Sequence, residues 1–372
     1  MLLETAKDQI CMNQVIGETK EMLEVHGDII VNDIKPDVLG IISTNGIASV
    51  YKKEVLDGKV RLDGSINTYI IYFAESDNGN VRSLNTVLDF TGFVNIDGCR
   101  PGMVLDDNIE IKNFECNILN SRKISVTANI EMNVKIYSDE TVEMVSNIDS
   151  IEGIEVLKKQ AGISSLVGYG TSTAYAKDTI ATDALDDIAE IMKVGFRISN
   201  KEAKISYNKA LVKADSDINI MYLTEDNRIN TVSTKVPVMG FVDMPNISED
   251  NICDVKCKLK NIVIKPNNAE THSIYVEAEI ELVCFVYEIK NIDMIEDLYS
   301  TAAELTFNRK EVKIMSREDR MKDICNIKQQ IVIPEIGSNK LYDVNIKPYI
   351  TDITKQNGKA ALMRRGEFGF SI

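Results

Sequence analysis

Histidines, cysteines and convergent carboxylates are the raw material of metal centres and nucleophilic sites, and in this 372-residue chain they are sparse or badly spaced. There are two histidines, His26 and His272, too few for a multi-histidine metal site, and a Ser-His-Asp hydrolase would have to recruit one of them. Seven cysteines, an odd number, argue against a disulfide framework. Cys253 and Cys257 are four apart and miss the CxxC spacing of redox sites and zinc knuckles. Adding His272 and Cys284 gives only a contrived zinc ligand set, so small thiols in strands are the preferred reading. Neither a GxxxxGK[ST] phosphate loop nor a GxGxxG fingerprint occurs. Gly162-Ile163-Ser164-Ser165-Leu166 approaches a nucleophile elbow, but Leu166 stands where the second glycine belongs, so these serines read as linker. No catalytic residue, cofactor site or metal site is assigned.

Carboxylates are abundant. Asp106-Asp107 and Glu249-Asp250 read as solvated acidic turns. Glu277, Glu279 and Glu281 share one face of a strand, where bare carboxylates would repel one another. A solvent face or a salt-bridged interface is expected there rather than a cation site. Tyr69, Tyr207, Tyr222, Tyr275 and Tyr287 are the aromatics that would stack on glycan rings if exposed, against half-buried strand packing as the plainer reading.

Forty-two Lys and Arg against fifty-seven Asp and Glu leave a net charge of −15. That disfavours a nucleic-acid binder, which needs a basic face to displace counterions from phosphate. No apolar run approaches the roughly 20 residues of a membrane-spanning helix, and the first residues lack a signal-peptide pattern, so a cytoplasmic location is expected.

The dominant feature is an internal repeat. Ile124 to Tyr137 and Ile274 to Tyr287 align at an offset of 150, with six of fourteen positions identical. Thr91-Gly92-Phe93-Val94-Asn95-Ile96 matches Met239-Gly240-Phe241-Val242-Asp243-Met244 at an offset of 148. Ile71-Tyr72-Phe73 matches Met221-Tyr222-Leu223 near 150, and Asp28-Ile29-Ile30-Val31 is aligned with Asp178-Thr179-Ile180-Ala181. Asn357-Gly358-Lys359 lies 300 after Asp57-Gly58-Lys59 and marks a third copy. The expected organisation is a first β domain over 1–150, a second over 151–300 and an incomplete third repeat over 301–372. In that third repeat, 310–315, 327–333, 343–350 and 360–372 read as strands, packed on the second domain against Val283 and Phe285, or dependent on further sequence or a partner.

Within each copy the period is two. From 124 to 136 apolar residues alternate with polar ones, the pattern of an antiparallel strand with one face in a core. In the second copy Val283, Phe285 and Tyr287 fill the outward register as well, so that strand is covered on both faces by a neighbouring domain or a partner, and these three are the candidate interaction residues. Asp57-Gly58 signals a type I′ hairpin with positive φ at both positions. Strand-like runs at about ten-residue spacing predict a mainly β fold, tandem β-sandwich-like domains. Short helical segments are expected at Pro36 to Ile42, with proline at the start, and at Asp183 to Met192.

A resemblance rests on particular residues. Glu24 to Asp37, then Lys53-Glu54-Val55-Leu56-Asp57-Gly58-Lys59-Val60, Asn67 to Tyr72 and Val81-Arg82-Ser83-Leu84 resemble the SPOCS (spore coat structural) domain of endospore-forming bacteria. The tandem copies are similar to the arrangement in clostridial coat morphogenesis proteins, which add a C-terminal LysM domain that these residues do not include. The resemblance implies a non-enzymatic coat-assembly scaffold in the mother-cell cytoplasm at the forespore surface. It also implies other coat proteins and a coat ATPase of the stage IV sporulation protein A type as partners. The alternative is an envelope glycan- or peptidoglycan-binding β module.

Overall fold

The structure is a computed structural model that describes residues 5–75, 81–148, 153–183, 187–267, 272–301, 343–356 and 359–371, with isolated positions at 306, 328, 330 and 332. It divides into two units, Met1–Asp319 and Arg320–Ile372.

In the first unit the strand sequence runs twice. The first set is β1 (Thr5–Ile30), β2 (Val38–Leu56), β3 (Lys59–Ala74), β4 (Val81–Asn95), β5 (Val104–Asn120) and β6 (Lys123–Ile148). The second is β7 (Ile154–Ala181), β8 (Ile188–Ser206), β9 (Lys209–Thr224), β10 (Ile229–Asp243), β11 (Ile252–Pro266) and β12 (Ser273–Ser300). Each set makes two antiparallel three-stranded sheets, β1-β6-β5 with β2-β3-β4, and β7-β12-β11 with β8-β9-β10. Within a copy, β2 lies beside β5 and β4 beside β1, so the two sheets close on one core.

The alternation seen along 124–136 becomes the floor of that core: Ile124, Val126, Ala128, Ile130, Met132, Val134 and Ile136 are all buried. They meet Leu62, Ile66, Ile70 and Phe90 from the opposite sheet. In the second copy Ile274, Val276, Ala278, Ile280 and Leu282 meet Val212, Ile220 and Val238 in the same way. Burying an aliphatic side chain of this size stabilises by about 1.5–3 kcal/mol, so these rows, rather than any hydrogen bond, hold the sheets together.

The repeat extends to backbone irregularities. Register breaks fall between Val38 and Gly40 and between Ile41 and Ser43 in β2. In β8 they fall between Ile188 and Glu190 and between Ile191 and Lys193, each displaced by 150 residues. These paired β-bulges correct the expected helices. Among the described residues there is no helix: Val38 to Ile42 and Ile188 to Met192 are strand. Two bulges in quick succession break the period of two and imitate helical spacing, while Gly40 and the β-branched neighbours favour the extended chain.

Two further expectations are corrected by the pairing. Ile29 pairs with Ile124 and Ile180 with Ile274, so Ile29 corresponds to Ile180, an offset of 151 rather than 150. Burial agrees, because Ile29 and Ile180 are both 7% exposed whereas Ile30 is 76% exposed. A one-residue slip turns every side chain to the other face, so the core fixes this register. At the first hairpin only Gly58 takes positive φ, 72°, and the two-residue turn with both positions positive is Tyr207-Asn208.

Among its described residues the second unit has an antiparallel hairpin, β13 (Asp343–Gln356) with β14 (Lys359–Ser371). Gln356 pairs with Lys359 as Leu56 pairs with Lys59, and a bulge between Ile350 and Asp352 sits 300 residues after the one between Val50 and Lys52. The expected strand over 343–350, and the one over 360–372 as far as 371, lie in this hairpin. Those over 310–315 and 327–333 lie outside the described residues, except 328, 330 and 332, which are not in strand.

Cys99, Cys116, Cys253, Cys257 and Cys284 are not joined in disulfides, and burial pushes the Cys116 thiol up to about 11, away from thiolate chemistry. No helix among the described residues is long and apolar enough to cross a membrane.

Candidate functional site

The polar chemistry concentrates where the two copies meet. Pro101-Gly102 turns the chain into β5, and Asp106 and Asp107 follow at its start. Opposite them, Lys256 and Lys258 are two residues apart on β11 and so share a face. Lys258 reaches Asp107 at 2.8 Å and Asp106 at 3.2 Å, while Lys256 contacts Asp106. From β2, Lys53 reaches Asp107 at 2.9 Å and also contacts Glu281 of β12. Three ammonium groups thus face three carboxylates, three of the six groups on each copy, and four of the five ion pairs cross between the copies. Asp107, its side chain 5% exposed, is the hub.

Burial alone would raise the Asp107 carboxyl, but Lys258 and Lys53 overcome it and hold the group below its ordinary range. For Lys53, burial works toward losing the proton, and Asp107 and Glu281 more than reverse that, so its ammonium is held above its ordinary value. Both shifts favour the charged forms, as a satisfied network requires.

Beside the charges is an apolar layer. Val283 and Phe285 are buried with Val104 and Leu166, and Tyr137 and Tyr287 pack against them. The Phe285 ring lies 5.8 Å from that of Tyr137 and 5.1 Å from that of Tyr169, both tilted, and the Lys256 ammonium lies 5.9 Å from its centroid. Burial pushes the Tyr137 hydroxyl above its ordinary value. Of the three candidate interaction residues, Val283 and Phe285 are therefore covered within the chain, by residues of both copies, and Tyr287 is half-buried.

A second contact stacks the outer face of β3 and β4 on β8. Ser83 donates through its backbone N–H (3.0 Å) and hydroxyl (2.8 Å) to the Glu190 carboxylate, which Lys35 also reaches at 3.0 Å. The Asn85 amide donates to the Ile191 carbonyl at 2.7 Å. Ile71 packs with Met192, Met221 and Leu223. Tyr69 inserts among residues of the second core, and burial pushes its hydroxyl up to about 12. Further along, Val142 packs with Ile163 and Ile292, joining the long ribbons β1–β6 and β7–β12.

The Glu277–Glu279–Glu281 row is salt-bridged, as the repulsion argument requires, through Lys177 at 2.7 Å, Lys260 at 2.6 Å and Lys53. Glu249 and Asp250 are exposed, as expected of a solvated turn, whereas Asp106-Asp107 is corrected from a solvated turn to the centre of the interface. His272 directly precedes β12, twelve residues before Cys284 and about 40 Å from it at strand rise, so it cannot join the thiols. Among the described residues no cluster of His, Cys, Asp or Glu is placed to hold a metal ion. Of the five tyrosines weighed for stacking, Tyr69 and Tyr222 are buried, Tyr275 donates to Glu277 at 2.5 Å, and Tyr207 is exposed. The Lys256/Lys258 pair and the Ser83, Asn85 and Glu190 contact had no local signal. Their partners lie about 110–150 residues away, and only the docking of one copy on the other brings them together.

The family model described as SipL, SPOCS domain matches residues 37–119 and again 187–267. The matches run from β2 to β5 and from β8 to β11, leaving β1 with β6, and β7 with β12, to complete the sheets. No curated protein and no solved structure matches the chain.

Proposed function

We propose that this chain, which carries two SPOCS domains, is a non-enzymatic scaffold of spore coat assembly. The double match to a structural, coat-associated family is the observation that carries the reading. The geometry supports it: charged side chains pair across the contact between the copies, and the outcome is one body with large strand faces. Such a body presents surfaces for protein partners at the forespore surface, on its mother-cell side. Other coat proteins, and a coat ATPase of the stage IV sporulation protein A type, are the partners proposed. The glycan-binding alternative loses Tyr69 and Tyr222 to the interior and is not preferred.

Deleting the gene in its own sporulating host tests the reading. The expected phenotype is coat material detached from the forespore, with vegetative growth unchanged. Normal coat encasement in the deletion strain contradicts it.

A further inference from the structure

The two copies meet through unlike faces, and part of the counterpart of each face is left open on the other copy; the counterpart of Met221, Ile71, is itself buried in the contact. Met192 and Leu223 of the second copy are 0% and 3% exposed because Ile71 and Val81 of the first lie against them. Their counterparts 150 residues earlier are Ile42 and Phe73, which are 38% and 49% exposed, with Leu39 beside them at 64%. Register supports the equivalence: Phe73 pairs with the residue at the first β2 bulge, Gly40, as Leu223 pairs with Glu190.

The opposing half of the contact is duplicated too. On the first copy, Ser83 donates to the Glu190 carboxylate and Asn85 to the Ile191 carbonyl. At the β4-to-β10 offset of 148, their counterparts are Thr231 and Ser233, both side-chain donors and both exposed. One chain therefore shows an apolar acceptor face on its first copy and a hydroxyl-bearing donor face on its second. These match the apolar residues and the hydrogen-bond donors of a contact it already makes internally, although Gly40 stands where the second copy has Glu190.

We infer that the Leu39–Ile42–Phe73 face takes the Thr231–Ser233 face of a second copy of this chain. The interior contact shows what covers such a face, namely the outer side of a neighbouring SPOCS sheet, and the open apolar residues continue from the buried Ile71 and Val81. Contact between unlike faces is heterologous, so copies add head to tail and each addition leaves both kinds of face free at the ends. The inference goes beyond the coat reading and does not depend on it, since self-association can hold or fail for a protein of any role.

Sedimentation velocity of the full chain over a wide concentration range is the test. The wild type is expected to form dimers and then larger species as concentration rises. Leu39→Glu with Phe73→Glu on one face, and Thr231→Arg with Ser233→Arg on the other, should each abolish association while the β-sheet circular dichroism and melting temperature are kept. An equimolar mixture of the two double variants has one intact face of each kind, so it should form a 1:1 complex and nothing larger. A wild type that stays monomeric throughout overturns the inference. So does association that survives either double variant, or a mixture that fails to pair. Should one variant misfold, the other alone still decides, because loss of either face must abolish growth.

Discussion

Replacing Asp107 by alanine should lower the stability of the folded chain by about 3 kcal/mol, because it leaves two half-buried ammonium groups, Lys53 and Lys258, without a shared buried partner. Lys258 keeps Asp106 and Lys53 keeps Glu281, so the damage is not total. The variant should also weaken the coupling between the copies, and its denaturant transition should broaden or split. Acid should imitate the substitution. The folded carboxyl ionises below its ordinary range, so its contribution is complete above the unfolded value of about 3.9. It is lost as pH falls through the folded value, since the unfolded chain takes up its proton first. Lys53 acts at the other end: its raised value gives stability that is complete below about 10.4 and lost as pH climbs through the folded value. Urea unfolding followed against pH checks both limbs. A loss below about 1 kcal/mol on Asp107→Ala, with no greater acid sensitivity in the wild type than in the variant, would contradict the network.

Phe285→Ala should cost about 3–5 kcal/mol, the usual range for emptying a buried aromatic site. The ring is nearly inaccessible and touches Tyr137 of the first copy and Tyr169 of the second. Its removal leaves a void between the copies that neither rigid sheet can close, and it also forfeits two aromatic contacts of about 0.5–1.5 kcal/mol each. Tyr299→Ala, at an exposed position on the same strand, serves as the control and should change stability by no more than about 0.5 kcal/mol. Chemical denaturation of the two variants side by side distinguishes the outcomes. Equal small effects would place Phe285 outside any structural interface.

The β character, the duplication and the inward register of Ile124 to Ile136 were legible because they are local: alternation and self-similarity need no knowledge of the partner strand. The outward apolar positions Val283 and Phe285 announced a covered face for the same reason. What covered them was not legible. Asp106-Asp107 looks identical in sequence whether it lies in water or against Lys256 and Lys258, since burial of a charge is decided by an element about 150 residues away. The helical expectation failed for a different reason. Bulges at Leu39 and Ile42 shift the alternation by one residue each, and a shifted period of two resembles a period near 3.6 over so short a run. The offset of 151 between β1 and β7 was missed because both registers align an isoleucine with Ile180, and only the pairing with Ile124 and Ile274 separates them.

The coat-scaffold account is tested most directly by imaging a fluorescently tagged full-length protein in its sporulating host. The account predicts a signal that appears with sporulation and encircles the forespore on its mother-cell side. A signal spread evenly through the cell, or one equally strong in vegetative growth, would contradict it.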